Sequence, residues 1–283
     1  MALQIITPPA GEPVHLTDAL LHVKQGEGVD DAHVQASITA ARRAVETKTW
    51  RAILGTRFKQ VADSFPGIGL SGVPWGSTYT RPANSFFLDR LPLVQVESIQ
   101  YIDMAGVTQT VPSSLYTVDY SSEPVRITPV FGQIWPIPMP QIAAVWINFI
   151  AGFAAPVVFD SAASTMRVRG PWKALAVGDC FQLSNSGGAL PAALSLQTDY
   201  YVQQVVSTGV YKLAATSGGA AITLADVGSG SSFLGEVPGD ILAWMRMRMG
   251  SLDQFREEVA IMNRGKIDEL PFVDGLLDGY PHW

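Results

Sequence analysis

The sequence predicts an α+β protein in which helices from the N- and C-terminal ends form a bundle packed with an antiparallel β-meander, with an all-β domain inserted between them. Three observations carry this prediction. Apolar residues recur at helical spacing only towards the two ends of the chain. Between them the pattern turns to alternation or short apolar runs punctuated by Gly, Pro, Ser and Asp. From about residue 156 to 236 glycines and serines cluster and no helical stripe occurs. The chain of 283 residues exceeds the usual single-domain size. The expected division is a discontinuous core of residues 1–155 and 237–283, with 156–236 as the insert.

Thr17 and Asp18 offer a cap for a short helix over Ala19 to Lys24, and Asp30 or Asp31 for a second running towards Thr49. In the second, Val34, Ile38, Ala41 and Val45 recur at spacings of four, three and four and make one apolar stripe. Arg42, Arg43, Glu46 and Lys48 lie off it. From Thr56 the runs TRFKQVADSF, VESIQYID, VTQTV, LYTVDY and PVRITPVFG read as strands of a meander. PGIGLSGVPWGSTYTRPANS between the first two reads as a long exposed loop, because it is rich in Gly, Pro and Ser and has no period. VWINFI reads as a buried strand. The surrounding stretch from Ile142 to Phe159 is uncharged, but Gly152 and Pro156 interrupt it and no Lys or Arg anchors flank it, which argues against a membrane span.

Within the insert TMRVR, DCFQLS, DYYVQQVV, GVYKLAA and AAITL are strand candidates. The stretch TDYYVQQVVSTGVYKLAATSGG alternates, breaks at Ser207-Thr208-Gly209 and alternates again, the pattern of a hairpin. After Pro238-Gly239-Asp240, the residues Ile241, Trp244, Met245, Met249 and Leu252 follow helical spacing. MRMRM also alternates like a strand, but the Asp240 cap and the following FREEVAIM favour a helix.

Composition and motifs narrow the function. Hydrophobic residues make up 47% of the chain and charged ones 16%, which suits packed cores and excludes a disordered chain. The net charge of −6, with no basic run beyond Arg42-Arg43, gives no footprint for gripping phosphates. The single cysteine, Cys180, fits synthesis in a reducing compartment, and MALQIITPPAGEP lacks the basic and long apolar regions of a secretory signal. His15, His22, His33 and His282 have no metal-ligand spacing, and no nucleophile elbow or P-loop occurs. Gly67, Gly69 and Gly72 match GxGxxG, but Pro66 precedes and Pro74 follows where a strand and a helix are required. The acidic pairs Asp30-Asp31 and Glu257-Glu258 suit helix caps and solvated faces better than acid-base chemistry. The expectation is a protein without catalytic, cofactor or metal sites.

The ordered series PPAGEPVHLTDALLHVK, DDAHVQASITAARRAVETKT, RAILGTRFKQVADSFPG, LPLVQVESIQYIDMAGVTQTVPSSLYTVD, EPVRITPVFGQIWP, VWINFIAGF and VPGDILAWMRM resembles the head-tail connector, or adaptor, family of tailed phages, the gp6-like and gp8-like proteins. The likeness covers about residues 1–155 and 237–260. It implies a subunit that assembles as a homo-oligomeric ring of about twelve copies. It also implies docking between the portal protein and the tail or tail-completion protein, with DNA passing through unbound. The implied place is the virion neck, assembled in the host cytoplasm, with no membrane contact and no catalysis. Where the family passes within a few residues from the GF-type strand end to the closing helix, this chain carries the insert. That segment resembles a short β-rich module of phage structural proteins through VGDCFQLSNSGGALPAAL, TDYYVQQV, VYKLAATSGGAAI and DVGSG.

Two segments are candidate contacts. In the tail of about 265–283, the residues Leu270, Phe272, Leu276, Leu277, Tyr280 and Trp283 form an apolar series broken by Asp274, Gly275, Asp278 and Gly279. It is too short for its own core, so it is expected to dock on the portal or a neighbouring subunit, the alternative being to fold back on its own subunit. Val73, Trp75 and Tyr79 in the long loop are expected to touch the tail or a neighbour. A different reading makes the insert a saccharide-binding module for a host surface, through Tyr200, Tyr201, Tyr211 and Trp172. A virion-associated hydrolase is a third reading, without a nucleophile and base pair to support it.

Overall fold

The computed structural model describes residues 2–67, 84–254 and 271–280, with residues 271 and 272 described by backbone alone. It is a mixed α and β protein in which sheet predominates. The chain divides into two compact units, Met1–Pro8 with Thr56–Gly152, and Pro9–Gly55 with Phe153–Trp283.

The first unit holds strands β1 (Ala2–Thr7), β2 (Thr56–Ala62), β3 (Phe86–Phe87), β4 (Leu93–Ile102), β5 (Thr108–Val111), β6 (Tyr116–Asp119), β7 (Arg126–Pro129) and β8 (Val145–Ala151). Five form an antiparallel sheet of order β1-β2-β8-β4-β5, and β3-β7-β6 form a separate small sheet. A sequential meander is therefore not what forms. β8, last in sequence, pairs between β2 and β4 over nearly its whole length, because its run VWINFIA is the most apolar and belongs at the sheet centre. Phe58 stacks on Phe149 at 5.5 Å on the apolar face. On other strand positions Arg57 pairs both oxygens of Glu97, and Lys59 lies over the Trp146 ring at 4.5 Å. Buried Gln60 donates to the Phe87 carbonyl and accepts from the Asp89 N–H, which fastens the approach to β4. A second apolar cluster joins the rings of Phe65, Phe86, Tyr101 and Trp135.

The second unit begins with α1 (Leu16–Val23) and α2 (Asp31–Thr49), and α3 (Gly239–Gln254) and α4 (Pro271–Gly275) come after its strands. The stripe Val34, Ile38, Ala41 and Val45 is buried against Ile241, Trp244, Met245 and Met249 of α3, with Ala19 and Leu20 of α1. MRMRM is helical. α1 starts three residues before the expected Ala19 and is capped by His15, whose Nδ1 accepts from the Thr17 N–H at 3.3 Å. Asp31 caps no helical N–H and instead accepts from the N–H of Gly28 in the preceding turn. Arg42, which falls off the apolar stripe, is buried all the same. Glu12 receives Nε and Nη2 at 2.7 and 3.1 Å, and Glu46 receives Nη1 at 3.0 Å.

The remaining strands are β9 (Ala154–Asp160), β10 (Thr165–Val168), β11 (Cys180–Phe181), β12 (Leu183–Ser186), β13 (Tyr200–Ser207), β14 (Val210–Ala214) and β15 (Ser231–Gly235). They form one antiparallel sheet of order β11-β13-β14-β10-β9-β15-β12. Its two edge strands, β11 and β12, are separated in sequence by Gln182 alone, so the sheet turns back on itself as a near-barrel. Val157, Phe159, Met166, Leu183, Tyr200, Val202, Tyr211, Leu213 and Leu234 fill it. DYYVQQVVSTGVYKLAA is the β13–β14 hairpin. AAITL forms no strand and contributes only a bridge from Ala221 to Ala214.

Candidate interaction surfaces

Among the described residues no group of three or more His, Cys, Asp or Glu side chains could hold a metal ion, and no helix is long and apolar enough to cross a membrane. Gly69, Gly72 and the pair Glu257-Glu258 lie outside the described residues. A cleft of about 390 Å³ runs beside β9 and β15, lined by Gly11, Glu12, Val158, Arg169 and the Gly228–Ser232 turn. Its carboxylate, Glu12, is committed to Arg42.

The expected contact residues fall into two groups. Val73, Trp75, Tyr79, Leu270, Trp283 and the side chain of Phe272 lie outside the described residues. Leu276, Leu277 and Tyr280 are turned towards the chain's own helices. Leu277 is only 5% exposed and belongs to the helical core, with Leu276 and Tyr280 packed against it. The Tyr280 hydroxyl donates to Asp240 Oδ1 at 2.9 Å, its ring meets Phe153 edge-on at 6.3 Å, and the Arg51 guanidinium lies 5.1 Å from its centroid. Burial, then the bond to Asp240, pushes the Tyr280 phenol up to about 12. Asp274 is tied to α2 and α3 by the Lys48 ammonium at 2.6 Å and the Trp244 indole at 3.3 Å. Those contacts, Lys48 first, hold its carboxyl below the ordinary range. Residues 273–280 thus fold back on the chain's own helices, with Leu277 buried and Leu276 and Tyr280 partly exposed.

The aromatic residues of the saccharide reading are committed as well. Tyr200 and Tyr211 are barrel core, and their hydroxyls accept from the backbone N–H of Ser195 at 2.7 Å and Leu175 at 3.1 Å. Trp172 packs against the same core. Tyr201 is half-buried beside exposed Cys180, and its interaction with that side chain raises its phenol above the ordinary value. Buried rings with satisfied hydroxyls cannot stack on a sugar face, which removes Tyr200 and Tyr211 from any such platform.

The segment between β7 and β8 exposes what the sequence reading overlooked. Phe131 is fully exposed, Ile134 and Ile142 are each 86% exposed, and Ile137 is 66% exposed. The backbone between them is pinned. The Val130 N–H donates to the Leu115 carbonyl at 3.0 Å, the Met139 N–H to Ile102 at 2.8 Å, and the Ala143 N–H to Asp63 Oδ1 at 2.8 Å. Trp135, buried in the aromatic cluster, donates its indole N–H to the Asn84 carbonyl at 2.7 Å. The sequence did hold a signal: no charged residue occurs between Arg126 and Asp160, a run that extends well before Ile142.

No family model matches the chain, and no curated protein matches it by sequence. Two solved structures contain a chain of similar fold along its whole length. One is described as "Virion of native gene transfer agent (GTA) particle", with 16% identity and a TM-score of 0.54 over 100% of this chain and 96% of that one. The other is described as "Neck of empty GTA particle computed with C6 symmetry", with 16% identity, a TM-score of 0.55 and the same coverage. At this identity the likeness is one of fold.

Proposed function

We propose that this chain is a structural protein of a phage-like virion neck, a ring adaptor between the portal and the tail through which DNA passes. The observation that carries the reading is the full-length likeness of fold to a chain from a particle neck, insert region included. The sequence series that resembles the connector family supports the same role. The net charge of −6 suits a channel wall that does not hold phosphates.

In this reading the ring closes with about twelve copies, the number that the connector resemblance implies, through a heterologous contact repeated around the axis. Residues 156–236 are an inserted module, a division supported by a barrel core drawn wholly from within 157–234. Leu270, Phe272 and Trp283 are the tail residues assigned to the portal or a neighbour, while Leu276, Leu277 and Tyr280 hold the base of that tail on α2 and α3. Val73, Trp75 and Tyr79 are assigned to the tail or a neighbouring subunit. The role needs no cofactor, and catalysis has no part in it.

Native mass measurement of the purified chain, alone and with a portal from the same particle, tests the proposal. A closed multimer that binds the portal is expected. A monomer that ignores the portal at every concentration rules the adaptor role out.

A further inference from the structure

The residues exposed between β7 and β8 are an unusual surface for a chain in water. Four large apolar side chains stand out from a backbone held at residues 130, 139 and 143 and by the buried Trp135. Together they offer roughly 500 Å² of apolar area, at the upper end of what a monomer leaves in one patch and most of the ~800 Å² that one side of a stable interface buries. Pro136, Pro138 and Pro140 restrict the backbone further, so little conformational entropy remains to be lost on docking. Such a pinned apolar projection is preorganised for a partner surface that is itself apolar and uncharged.

One such surface lies elsewhere on the same unit. Among the described residues β1 is the edge strand of the five-stranded sheet, paired on one side only, to β2. Ile5 and Ile6 are 62% and 50% exposed, at a register shift between Ile5 and Thr7. No charged side chain precedes Glu12, so the edge lacks the lysines that usually protect an open strand. The projection is fastened to Ile102 at the end of β4, to Leu115 beyond β5 and to Asp63 beyond β2, whereas Ile5 and Ile6 lie on the β1 edge of the sheet. Two unlike apolar surfaces on separate parts of one chain are what head-to-tail association of identical copies requires.

We infer that the Phe131–Ile142 projection of one copy docks on the exposed β1 edge around Ile5 and Ile6 of the next copy, as the repeating contact of a multimer. The inference deepens the neck-ring reading and rests on it. It names the second copy as occupant on three grounds: the area is close to what a stable interface needs, neither segment has a charged residue of its own, and both belong to this chain.

The test uses the full-length chain and two variants, Phe131→Asp and Ile6→Asp, each at an exposed position. Native mass spectrometry and light scattering read the size, and far-ultraviolet circular dichroism with melting checks the fold. Wild type is expected to form a multimer, and each variant alone a folded monomer with at least a tenfold higher concentration for assembly. Mixing the two variants is the decisive arm. A Phe131→Asp chain keeps an intact edge and an Ile6→Asp chain an intact projection, so one productive contact remains and a one-to-one heterodimer is expected. If Phe131→Asp fails to fold, Ile137→Ser serves in its place.

A wild-type multimer that persists in both variants overturns this inference and leaves the ring reading standing. Variants that keep the multimer but lose portal binding reassign the projection to another protein and likewise overturn it. Monomeric variants that give no heterodimer on mixing overturn the head-to-tail pairing. A monomeric wild type removes both readings.

Discussion

Arg42 shows how a single charge is kept inside a helical core. Its guanidinium is buried at 9% side-chain exposure, and the two carboxylates of Glu12 and Glu46 take its Nε, Nη1 and Nη2 hydrogens. Removing one partner leaves part of that charge uncompensated, the expensive way to break a buried pair. Glu12→Ala is therefore expected to cost about 3 kcal/mol, read as a lower urea midpoint at unchanged slope. Arg43→Ala, one residue along and exposed, is expected to change stability by less than ~0.5 kcal/mol. Tyr280 gives a second test, through pH. Its folded-state phenol sits at about 12, above the ordinary value of 10.0, because burial and the bond to Asp240 favour the neutral form. A raised value means the contribution is complete below pH 10 and is lost as pH rises towards 12. Melting temperatures of wild type and Tyr280→Phe should run parallel below pH 10, and the gap between them should change only above it. A constant gap from pH 7 to 12 would show that the phenol does not titrate against the fold.

At the scale of elements, what the sequence revealed depended on whether the pattern was local. The α2 stripe and the β13–β14 hairpin were legible because the pattern itself is local: a period of 3.6 records which face of one helix is buried, whatever covers it, and a Ser-Thr-Gly break records a turn between neighbouring strands. The order β1-β2-β8-β4-β5 was not legible. The partners of β8 lie scores of residues earlier, and alternation within a strand says which face is apolar but not which strand lies beside it. β1 went unnoticed for a related reason: as an edge strand with mostly exposed positions it has no buried face to leave an alternating imprint. Arg42 lies off the apolar stripe and nothing local marks it as buried, because the Glu12 carboxylate that receives it sits thirty residues earlier. The same limit applies to the candidate contacts. The tail was singled out for its apolar residues, yet Leu277 uses them on its own helices. The exposed residues from Phe131 to Ile142 look, residue by residue, like part of a core, and only the pinned backbone shows them facing outward.

For the whole molecule, the two cores of the second unit set the terms of the last prediction. The helical core takes Ala154 and Phe233 from β9 and β15, while the barrel core takes Val157 and Leu234 from the same strands. β9 and β15 are thus shared at their base and belong to the barrel beyond it. Val157 and Ser232 are direct register partners, so their backbones are already a strand spacing apart. Replacing residues 158–231 with a two-residue Asn-Gly turn would close that pair as a hairpin and leave Ala154 and Phe233 in place. What is lost outside the barrel includes a polar tie in which Ser186 Oγ donates to Asp18 Oδ2 at 2.6 Å and accepts from the His15 N–H at 2.9 Å, together with the close approach of Gly170 to Ala10 and of Pro171 to Gly55. A tie of that kind is worth about 1–3 kcal/mol, within reach of a protein of this size. The shortened chain is therefore expected to melt at a lower temperature but cooperatively, with the helical circular dichroism per molecule retained. If residues 156–236 are an insertion, it should still form the wild-type multimer, less the mass removed. Loss of the helical signal would show instead that the barrel is part of what holds α1, α2 and α3 together, and residues 156–236 would then have to be counted as core.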